Sequence, residues 1–558
     1  MPPQQNNLAQ QLESMQPSNI PQFELLQLSM HQLTVLMKGV KKTPAAGIDG
    51  ISGLILHDIF DVIKVPLLHL INLSLCSGIY PEIFKLTKII PVEKMGKDPL
   101  SPSSFRPVSN LSVIGKLIEC AAMNQVEGHI SEHHLMNKDQ HGGRSKHSTM
   151  TCLGEIMEDA KMAMEDKKMV ALTAVDLSAA YDLCDHPILE LKCKKLLNLD
   201  QGMSNWLNSF LKNRAQQVEL CGERSNILQT GTQGVVQGGP SSGLLFNIYI
   251  NTMPAQVNNQ QLAVNTSQST CKQFVDDGTI ISRGRNILEL KRNIEADFAA
   301  VRTYLIDLKM VINPEKTQLM VLKSSQLKEP LQIELNGSII TSQDKIKVLG
   351  LTISQDLKFD DFIWKEKGSL IRRIQYRTSM VKNLKAYLTP KTLHQVGNSL
   401  INSVIQYGAA LWGATSETNI QRVQKAQTRA ARILTCGPNQ FRQLYHRQEL
   451  FTYIKWLNVN QLIQVATLNL LKNAICQNSS VGFNSMFRKS QPKSNLRNKN
   501  LRVDHRGLMD RNRLIFSANA VIMFNNLPSS LKQRNITPAR FKIMVKKHIL
   551  TTNHLIEH

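Results

Sequence analysis

The chain has 558 residues, of which 42% are hydrophobic, so it is built to fold but is too long for one core, and we expect about three or four domains. Nine cysteines without a CxxC pair or a Cys–His set at zinc-finger spacing argue against a disulfide framework and a structural zinc site, while a net charge of +23 suggests a polyanionic partner. With no apolar run near the roughly 18 residues of a membrane span and no signal-peptide pattern, we expect an intracellular protein of the nucleus, the cytoplasm or both, without a membrane partner.

The elements predicted in chain order begin with a polar segment, residues 1–22, which we expect to be disordered. Apolar periodicity then predicts helices over 23–40 and 54–78, a strand over 88–94, and a loop that enters a helix within 105–130. From 170 to 360, short strand patterns mix with helices. Beyond 365 the strand patterns vanish and amphipathic helices are predicted, with a linker or arm opening the last segment from about 484.

The positive charge lies entirely in this helical third. Residues 361–558 contain 31 Lys and Arg against 7 Asp and Glu, whereas residues 1–360 contain 35 against 36. Such asymmetry favours contact with a nucleic-acid backbone, since neutralising phosphates releases counterions. An ordinary solvated basic surface is the alternative interpretation.

The stretch KQFVDDGTIISR places Asp276 and Asp277 between two short apolar runs. The pair Asp277–Gly278 favours a tight turn, so the simplest prediction is a surface hairpin. A carboxylate on such a rigid tip is also an oxygen ligand suited to a hard divalent cation. Asp176, at the end of the strand-like run before SAAYD, is either a helix cap or a second ligand. If the two motifs lie in adjacent strands, Asp176 and Asp276 come close together and need a cation to neutralise them.

Between these carboxylates lies GVVQGGPSSGLLFNIYIN, a loop of small residues that runs into an apolar helix. Small residues permit close backbone approach, and the N–H groups of a helix N-terminus can bind phosphate or a template strand. The alternative is an ordinary loop and helix cap.

Several motifs follow one another along the chain: FRPVSNLSVIGKLIE, QHGGRSKHSTM, AVDLSAAYD, GVVQGGPSSGLLFNIYIN, FVDD, INPEKTQLMVL and KVLGLTIS. In this order they resemble the sequence blocks of a reverse transcriptase, and more narrowly those of jockey-like non-LTR retrotransposons, over roughly residues 25–360. The resemblance implies an α+β right-hand polymerase with fingers, a palm built on an antiparallel sheet, and a thumb. It also implies an RNA-directed DNA polymerase, which is a nucleotidyltransferase.

On this resemblance we predict four segments. Residues 1–22 are a disordered N-terminus, 23–360 the fingers and palm, 361–480 a helical thumb or connection, and 481–558 a basic C-terminal region. The family's endonuclease is expected to be missing before residue 23, and no RNase H is expected after residue 361.

The resemblance also implies catalytic residues. Asp176 and Asp276 would bind two Mg²⁺ ions, with Mn²⁺ as a possible substitute, together with the backbone carbonyl of Leu177. Asp277 completes the acidic pair in a supporting role. RNA template, DNA primer and deoxynucleoside triphosphates are the implied partners.

A second set of implied residues contacts the nucleotide and the nucleic acid. Tyr181 would exclude a ribose 2′-hydroxyl, and the other nucleotide contacts would be Lys94, Arg106, Gln237, Gly238 and Lys316. Duplex contacts in the helical third would include Arg372, Arg373, Arg429 and Arg432. For each of these side chains, ordinary packing or a solvated charge is the alternative.

Two positions depart from the family pattern. Val275 precedes Asp276 where Ala is usual, and Val236 precedes Gln237 where Pro is usual. Neither change removes a predicted metal ligand. Two alternative functions stay open, a catalytically inactive RNA-binding remnant and an RNA-dependent RNA polymerase, although the latter is not expected to retain Tyr181.

Overall fold

The structure is a computed structural model, and it describes residues 20–94, 98–258, 269–324, 327, 329–335, 337–435, 447–489, 503–505, 516–533 and 535–552. The prediction of a disordered N-terminus falls largely outside these residues.

The helices of the described residues are α1 Met30–Gly39, α2 Gly53–Ser77, α3 Val113–Glu132, α4 Thr149–Glu165, α5 His186–Leu197, α6 Gln201–Leu211, α7 Ser242–Ile250, α8 Met253–Asn258, α9 Ile287–Asp307, α10 Leu370–Leu384, α11 Pro390–Gly397, α12 Ser403–Gln406, α13 Ala409–Trp412, α14 Glu417–Thr435, α15 Arg447–Tyr453, α16 Val459–Ile475, α17 Val481–Ser485, α18 Phe516–Asn525 and α19 Pro538–Thr552.

The strands of the described residues are β1 Leu86–Glu93, β2 Phe105–Asn110, β3 Met169–Val175, β4 Ala215–Leu220, β5 Glu223–Arg224, β6 Leu228–Gln229, β7 Thr270–Phe274, β8 Asp277–Gly284, β9 Gln318–Val321, β10 Gln332–Leu335, β11 Ser338–Thr341, β12 Lys345–Val348, β13 Leu351–Ser354, β14 Phe487–Lys489 and β15 Val503–His505.

The chain forms two compact units, each built from several segments. Unit 1 comprises residues 1–143, 176–259 and 298–313, and unit 2 comprises residues 144–175, 260–297 and 314–558. The predicted mixture of helices and antiparallel strands is present.

Unit 1 is organised around a sheet with the strand order β2-β1-β4-β5, in which β1 pairs with β2 antiparallel and with β4 parallel. Its aromatic core includes Trp206 and Phe210, whose rings stack 5.4 Å apart, with Tyr80 packed edge-on against both. Residues 105–110 were predicted to be loop. They form strand β2 instead, because the whole segment pairs with β1.

Helices α1 and α2 begin at serine caps. The predicted helix over 23–40 starts only at Met30, because the Ser29 side chain accepts from the Gln32 N–H and the Gln32 side chain accepts from Ser29 N. Among the described residues, α2 is the one helix long and apolar enough to cross a membrane by length and composition. Its inner face, including Leu56 and Ile71, is fully buried in unit 1.

Unit 2 contains a four-stranded antiparallel sheet with the order β7-β8-β3-β9, named here the palm sheet. Strand β3 is buried along nearly its whole length because β8 and β9 flank it and α4 packs on it. Helix α4 is capped at its N-terminus by Ser148, whose hydroxyl accepts from the Thr151 N–H. Apolar side chains such as Ile156 and Leu172 join one core with the helices that follow residue 370.

The turn of the hairpin between β7 and β8 lies two residues earlier in the sequence than predicted. Phe274 pairs with Asp277, so the two-residue loop is Val275–Asp276, and Gly278 is a strand residue opposite Gln273. The strand register, rather than the local Asp-Gly preference, fixes the turn. As a result Asp276, and not Asp277, occupies the tip.

The helical part after residue 370 packs into the same core as the palm sheet. Phe483, Phe524 and Phe541 are fully buried in that core. Sequence patterns indicated no strands beyond 365, but β14 and β15 form a short antiparallel pair. Three-residue strands lie below what an alternation pattern can reveal.

Candidate active site

The register of the palm sheet brings two sequence motifs to one edge. Val175, the last residue of β3, lies opposite Gly278 near the start of β8. The next residue after Val175 is Asp176, and Asp276 lies two residues before Gly278. Both are half-buried, whereas Asp277 is exposed. The expectation that the two Asp-bearing motifs end in adjacent strands is therefore confirmed.

The tip of the hairpin has an unusual backbone. Val275 has a φ of 58°, in the left-handed region that favours glycine, and a β-branched side chain makes this conformation costly by about 1–3 kcal/mol. The fully buried Gln273 side chain donates from Nε2 to the Val275 carbonyl oxygen at 2.8 Å. This hydrogen bond stabilises the strained turn and restricts the backbone next to Asp276.

The backbone after Asp176 is held within unit 1. The Asp176 carbonyl accepts from Asn313 N at 2.9 Å, and Ser178 N donates to the Val311 carbonyl at 3.1 Å. These bonds flank the pairing of Leu177 with Ile312, so the Leu177 carbonyl points away from residues 311–313. The Leu177 carbonyl oxygen is therefore not used in the pairing with these residues.

The donor chemistry fits a hard divalent cation. Asp176, Asp276 and the Leu177 carbonyl supply only oxygen atoms, which are the ligands Mg²⁺ prefers. In the described part of the chain, no group of three or more His, Cys, Asp or Glu side chains could hold a metal ion without other ligands. Mg²⁺ is commonly bound by one or two carboxylates plus substrate phosphates and water, so the chemical types of the predicted ligands are those that this ion takes.

In unit 1, the loop of Gln237 and Gly238 is pinned to strand β2. Ser109 N donates to the Gln237 carbonyl at 3.1 Å, and Gln237 Nε2 donates to Asp182 at 3.4 Å. Gly238 has a φ of 111°, and a Cβ there would lie 3.0 Å from the Ser109 carbonyl oxygen. Only glycine suits this position, which keeps a bare backbone next to β2.

A buried carboxylate holds the far end of the same loop. Glu119, on α3, is 1% exposed and accepts from Ser241 N at 2.8 Å and from the Ser241 hydroxyl. Burial raises the pKa of Glu119 above its usual value, and the bonds from Ser241 oppose that rise. The loop between Gln237 and Ser241 is thus fixed at both ends.

Tyr181 lies beside this loop. Its ring stacks on Phe246 of α7 at a centroid distance of 4.9 Å, and its carbonyl accepts from Val235 N at 2.9 Å. The side chain is half-buried, so one part of the ring is packed and the rest is accessible. Unit 1 therefore brings Tyr181 and Gln237 together, as the nucleotide-binding prediction requires.

The predicted lysine and arginine contacts lie at strand ends and turns. Arg106 is exposed on β2, three residues before Ser109, and Lys94 is half-buried just after β1. The two belong to one antiparallel hairpin of unit 1. Lys316 is exposed in the turn before β9 of unit 2.

Of the four predicted duplex contacts, three are exposed: Arg372 on α10 and Arg429 and Arg432 on α14. Arg373 differs, since it is half-buried and its guanidinium lies 5.1 Å from the centre of the Phe362 ring. Burial lowers the pKa of Arg373. Its stem and head therefore serve packing in unit 2.

Sequence reasoning missed three supporting residues: Glu119, Gln273 and Ser109. Glu119 closes the quoted motif FRPVSNLSVIGKLIE, and a Glu on an otherwise apolar helix face was a usable signal. Ser109 lies in the same motif. Nothing local distinguishes Gln273 from a surface residue of a hairpin.

Comparison with known proteins gives a family match over the middle of the chain. Residues 92–353 match the family described as reverse transcriptase (RNA-dependent DNA polymerase). The chain is 26% identical over 402 residues to the probable RNA-directed DNA polymerase from transposon BS of Drosophila melanogaster, covering 72% of this chain and 43% of that protein. It is 24% identical over 373 residues to the RNA-directed DNA polymerase from mobile element jockey of the same species, covering 66% and 39%.

The chain thus spans about two fifths of the length of these relatives. The chain is also similar to a solved structure of apo telomerase from Candida tropicalis, with 15% sequence identity and a TM-score of 0.35. The similarity covers 55% of this chain and 60% of that chain, and no conclusion about the site is drawn from it. The family match supports the predicted α+β polymerase fold, and the family generally uses divalent metals. Residues 92–353 are therefore similar to the reverse transcriptase family, and the predicted resemblance to the polymerases of non-LTR retrotransposons is confirmed.

Proposed function

We propose that the chain is an RNA-directed DNA polymerase that adds deoxynucleotides to a primer 3′-hydroxyl. The observation that supports this most directly is the pairing of Val175 with Gly278, because it brings the ends of the two Asp-bearing motifs to one edge of the palm sheet. The names of the relatives, RNA-directed DNA polymerases of mobile elements, point to the same activity.

In this proposal Asp176 and Asp276 hold two Mg²⁺ ions, with the Leu177 carbonyl as a further ligand and Mn²⁺ as a possible substitute. When bound, such ions lower the pKa of the primer hydroxyl and neutralise the leaving pyrophosphate. The protein's own task is then to position the two carboxylates and the nucleotide, since phosphoryl transfer depends chiefly on positioning and charge stabilisation.

The nucleotide would lie against the loop of Gln237 and Gly238. The bare Gly238 backbone permits close approach, the Tyr181 ring would exclude a ribose 2′-hydroxyl, and Arg106 and Lys94 would contact the triphosphate. Lys316 is proposed to contact phosphate or the strand backbone. The exposed arginines of α10 and α14 would hold the duplex of RNA template and DNA primer by its phosphates.

The test is primer extension by the purified chain on an RNA template with deoxynucleotides and Mg²⁺. We expect template-dependent extension that an Asp176→Asn variant loses by at least about a thousandfold, because the remaining carboxylate cannot position the ions alone. Equal extension by Asp176→Asn would refute the ligand assignment.

A second candidate function is a noncatalytic RNA-binding protein, which the surplus of positive charge in residues 361–558 favours. It predicts tight, salt-sensitive binding of RNA by the unmutated chain without any extension of a primer. The same preparation therefore decides between the two functions.

A further inference from the structure

We propose that residues 479–487, which span the predicted boundary between the helical thumb and the basic C-terminal region, are a structural part of the catalytic palm, in which Ser480 and Glu155 position the hairpin that presents Asp276. Ser480 and Glu155 are positioning residues in this scheme, since they act through Lys272 of β7. The inference rests on the proposed polymerase function for its kinetic consequence.

Glu155 is the centre of the arrangement. It lies on α4, is 2% exposed, and its Oε2 is 2.6 Å from Lys272 Nζ. Its other oxygen, Oε1, accepts from the Ser480 hydroxyl at 2.6 Å, across 325 residues of sequence. A buried ion pair is stable only when its remaining lone pairs are also satisfied, so the Ser480 hydroxyl completes the site in which Lys272 is held.

Helix α4 holds the hairpin at a second point. One turn after Glu155, the Asp159 carboxylate accepts from the Thr270 hydroxyl at 3.1 Å and lies 3.6 Å from Arg283 of β8. Glu155 and Asp159 therefore face both strands of the hairpin from one side of the helix. Lys272 lies only three residues before the strained Val275, so a shift of the Lys272 ammonium moves the base of the turn.

Residues 479–487 are fitted closely to α4. A Cβ on Gly482 would lie 2.6 Å from the Glu155 carboxyl carbon, and a Cβ on Gly154 would lie 2.5 Å from the ring of Phe483. Each glycine admits a side chain from the other segment, and Phe483 is fully buried. Such mutual fit is typical of a permanent core contact and not of a separate arm.

The test compares single substitutions in the full-length chain. Gly482→Ala places a methyl group against the Glu155 carboxylate and displaces it. Ser480→Ala removes the hydroxyl that donates to Glu155, whereas Ser480→Thr retains a hydroxyl. Gly128→Ala is the matched control, because Gly128 is also helical and has open space where its Cβ would lie. The measurements are primer-extension kcat and nucleotide KM, and amide hydrogen exchange over 270–280.

We expect kcat to fall about tenfold or more in Gly482→Ala and Ser480→Ala with nucleotide KM within about twofold, since a displaced Asp276 affects the chemical step and not nucleotide affinity. Ser480→Thr should recover most of kcat, and Gly128→Ala should match the unmutated chain. Amides over 270–280 should exchange faster only in the two damaged variants. Ser480→Ala removes a single hydroxyl and stays informative if Gly482→Ala does not fold.

Unchanged kcat and unchanged exchange in Ser480→Ala and Gly482→Ala would overturn the inference, as would a fall in Ser480→Thr equal to that in Ser480→Ala. If the unmutated chain does not extend a primer, the proposed function fails. The exchange measurement still decides whether residues 479–487 hold the hairpin.

Discussion

Glu119 accepts two hydrogen bonds from Ser241, one from its backbone N–H and one from its hydroxyl, at the end of the loop that carries Gln237. A buried carboxylate thereby fixes a loop from a distance of 122 residues in the sequence. In the proposed function this loop would offer its backbone to nucleotide or template in one conformation, and the bonds from Ser241 to Glu119 would hold that conformation.

Replacing Glu119 tests this relationship. Glu119→Ala should leave the Ser241 N–H buried without its acceptor and lower the free energy of unfolding by about 1–3 kcal/mol. Nucleotide KM should rise, because the loop is no longer fixed. Glu119→Gln keeps one acceptor oxygen, so its free energy of unfolding and its nucleotide KM should lie between those of Glu119→Ala and the unmutated chain. Denaturant unfolding measures the first quantity and steady-state primer extension the second. An unchanged KM in Glu119→Ala would contradict the proposal that Glu119 fixes the loop.

Replacing Val275 with glycine should not lower the free energy of unfolding, unlike the same replacement of an ordinary strand valine. Its φ of 58° favours glycine, so Val275→Gly should leave the free energy of unfolding unchanged or raise it by up to about 1 kcal/mol. Val92→Gly, in the ordinary backbone of β1, should lower it by about 1 kcal/mol. Equal losses in the two variants, measured by urea unfolding, would show that the turn is not strained.

The buried Asp297 gives the protein a pH dependence. Burial raises the pKa of this carboxyl to about 6, while a hydrogen bond from Ser282 opposes the rise. Because the folded-state pKa exceeds the unfolded value, the protonated form stabilises the fold, and that contribution is lost as pH rises from about 4 to about 6.

The loss amounts to about 3 kcal/mol across that window. Asp297→Asn should therefore abolish this part of the pH dependence and be more stable than the unmutated chain at pH 7. Unfolding curves between pH 4 and 7 measure it, and parallel pH profiles for the two proteins would contradict the assignment.

Tyr181 should set the preference for deoxynucleotides. Its ring is held by stacking on Phe246, so Tyr181→Val should reduce the discrimination between deoxy- and ribonucleotides at least about tenfold in kcat/KM. Tyr181→Phe, which retains the ring, serves as the control and should discriminate as the unmutated chain does. Unchanged discrimination in Tyr181→Val would favour a core role for this ring.

The arginines of the helical part should divide into two classes. Arg429→Ala should weaken nucleic-acid binding and reduce the slope of log K against log salt by about 1, as expected for one lost phosphate contact. Arg373→Ala should instead lower stability, since its guanidinium stacks on Phe362, and should leave the salt slope unchanged. Filter-binding titrations at several salt concentrations distinguish the two classes of arginine. Identical salt slopes for Arg429→Ala and the unmutated chain would show that Arg429 does not contact the nucleic acid.

The sequence was sufficient for features with local signals. The strand before Asp176, the hairpin around Asp276 and the loop of Gln237 all follow from short patterns of apolar and small residues. The location of the turn at Val275 was not predictable in this way, because the strand register overrides the preference of Asp277–Gly278.

Features formed by distant segments had no such signal. Ser480 and Glu155 are 325 residues apart, and neither sequence neighbourhood carries a local signal of the contact between them. The polar stretch RKSQPKSNLRNKN was predicted to be a linker or an arm, and all of it after residue 489 lies outside the described residues. Phe483 before it and Phe541 after it both pack into the core of unit 2. Long-range packing of this kind becomes visible only in three dimensions.

The assignment of Asp276 as a metal ligand is tested by the rate of single-nucleotide addition to a primer on an RNA template, compared between Asp276→Asn and Asp166→Asn. Asp166 precedes β3 at the end of the strand opposite to Asp176, and it is exposed. We predict that Asp276→Asn loses at least about a thousandfold in rate while Asp166→Asn adds nucleotide as the unmutated chain does. Equal rates for the two variants would contradict the assignment of the hairpin tip as the catalytic metal site.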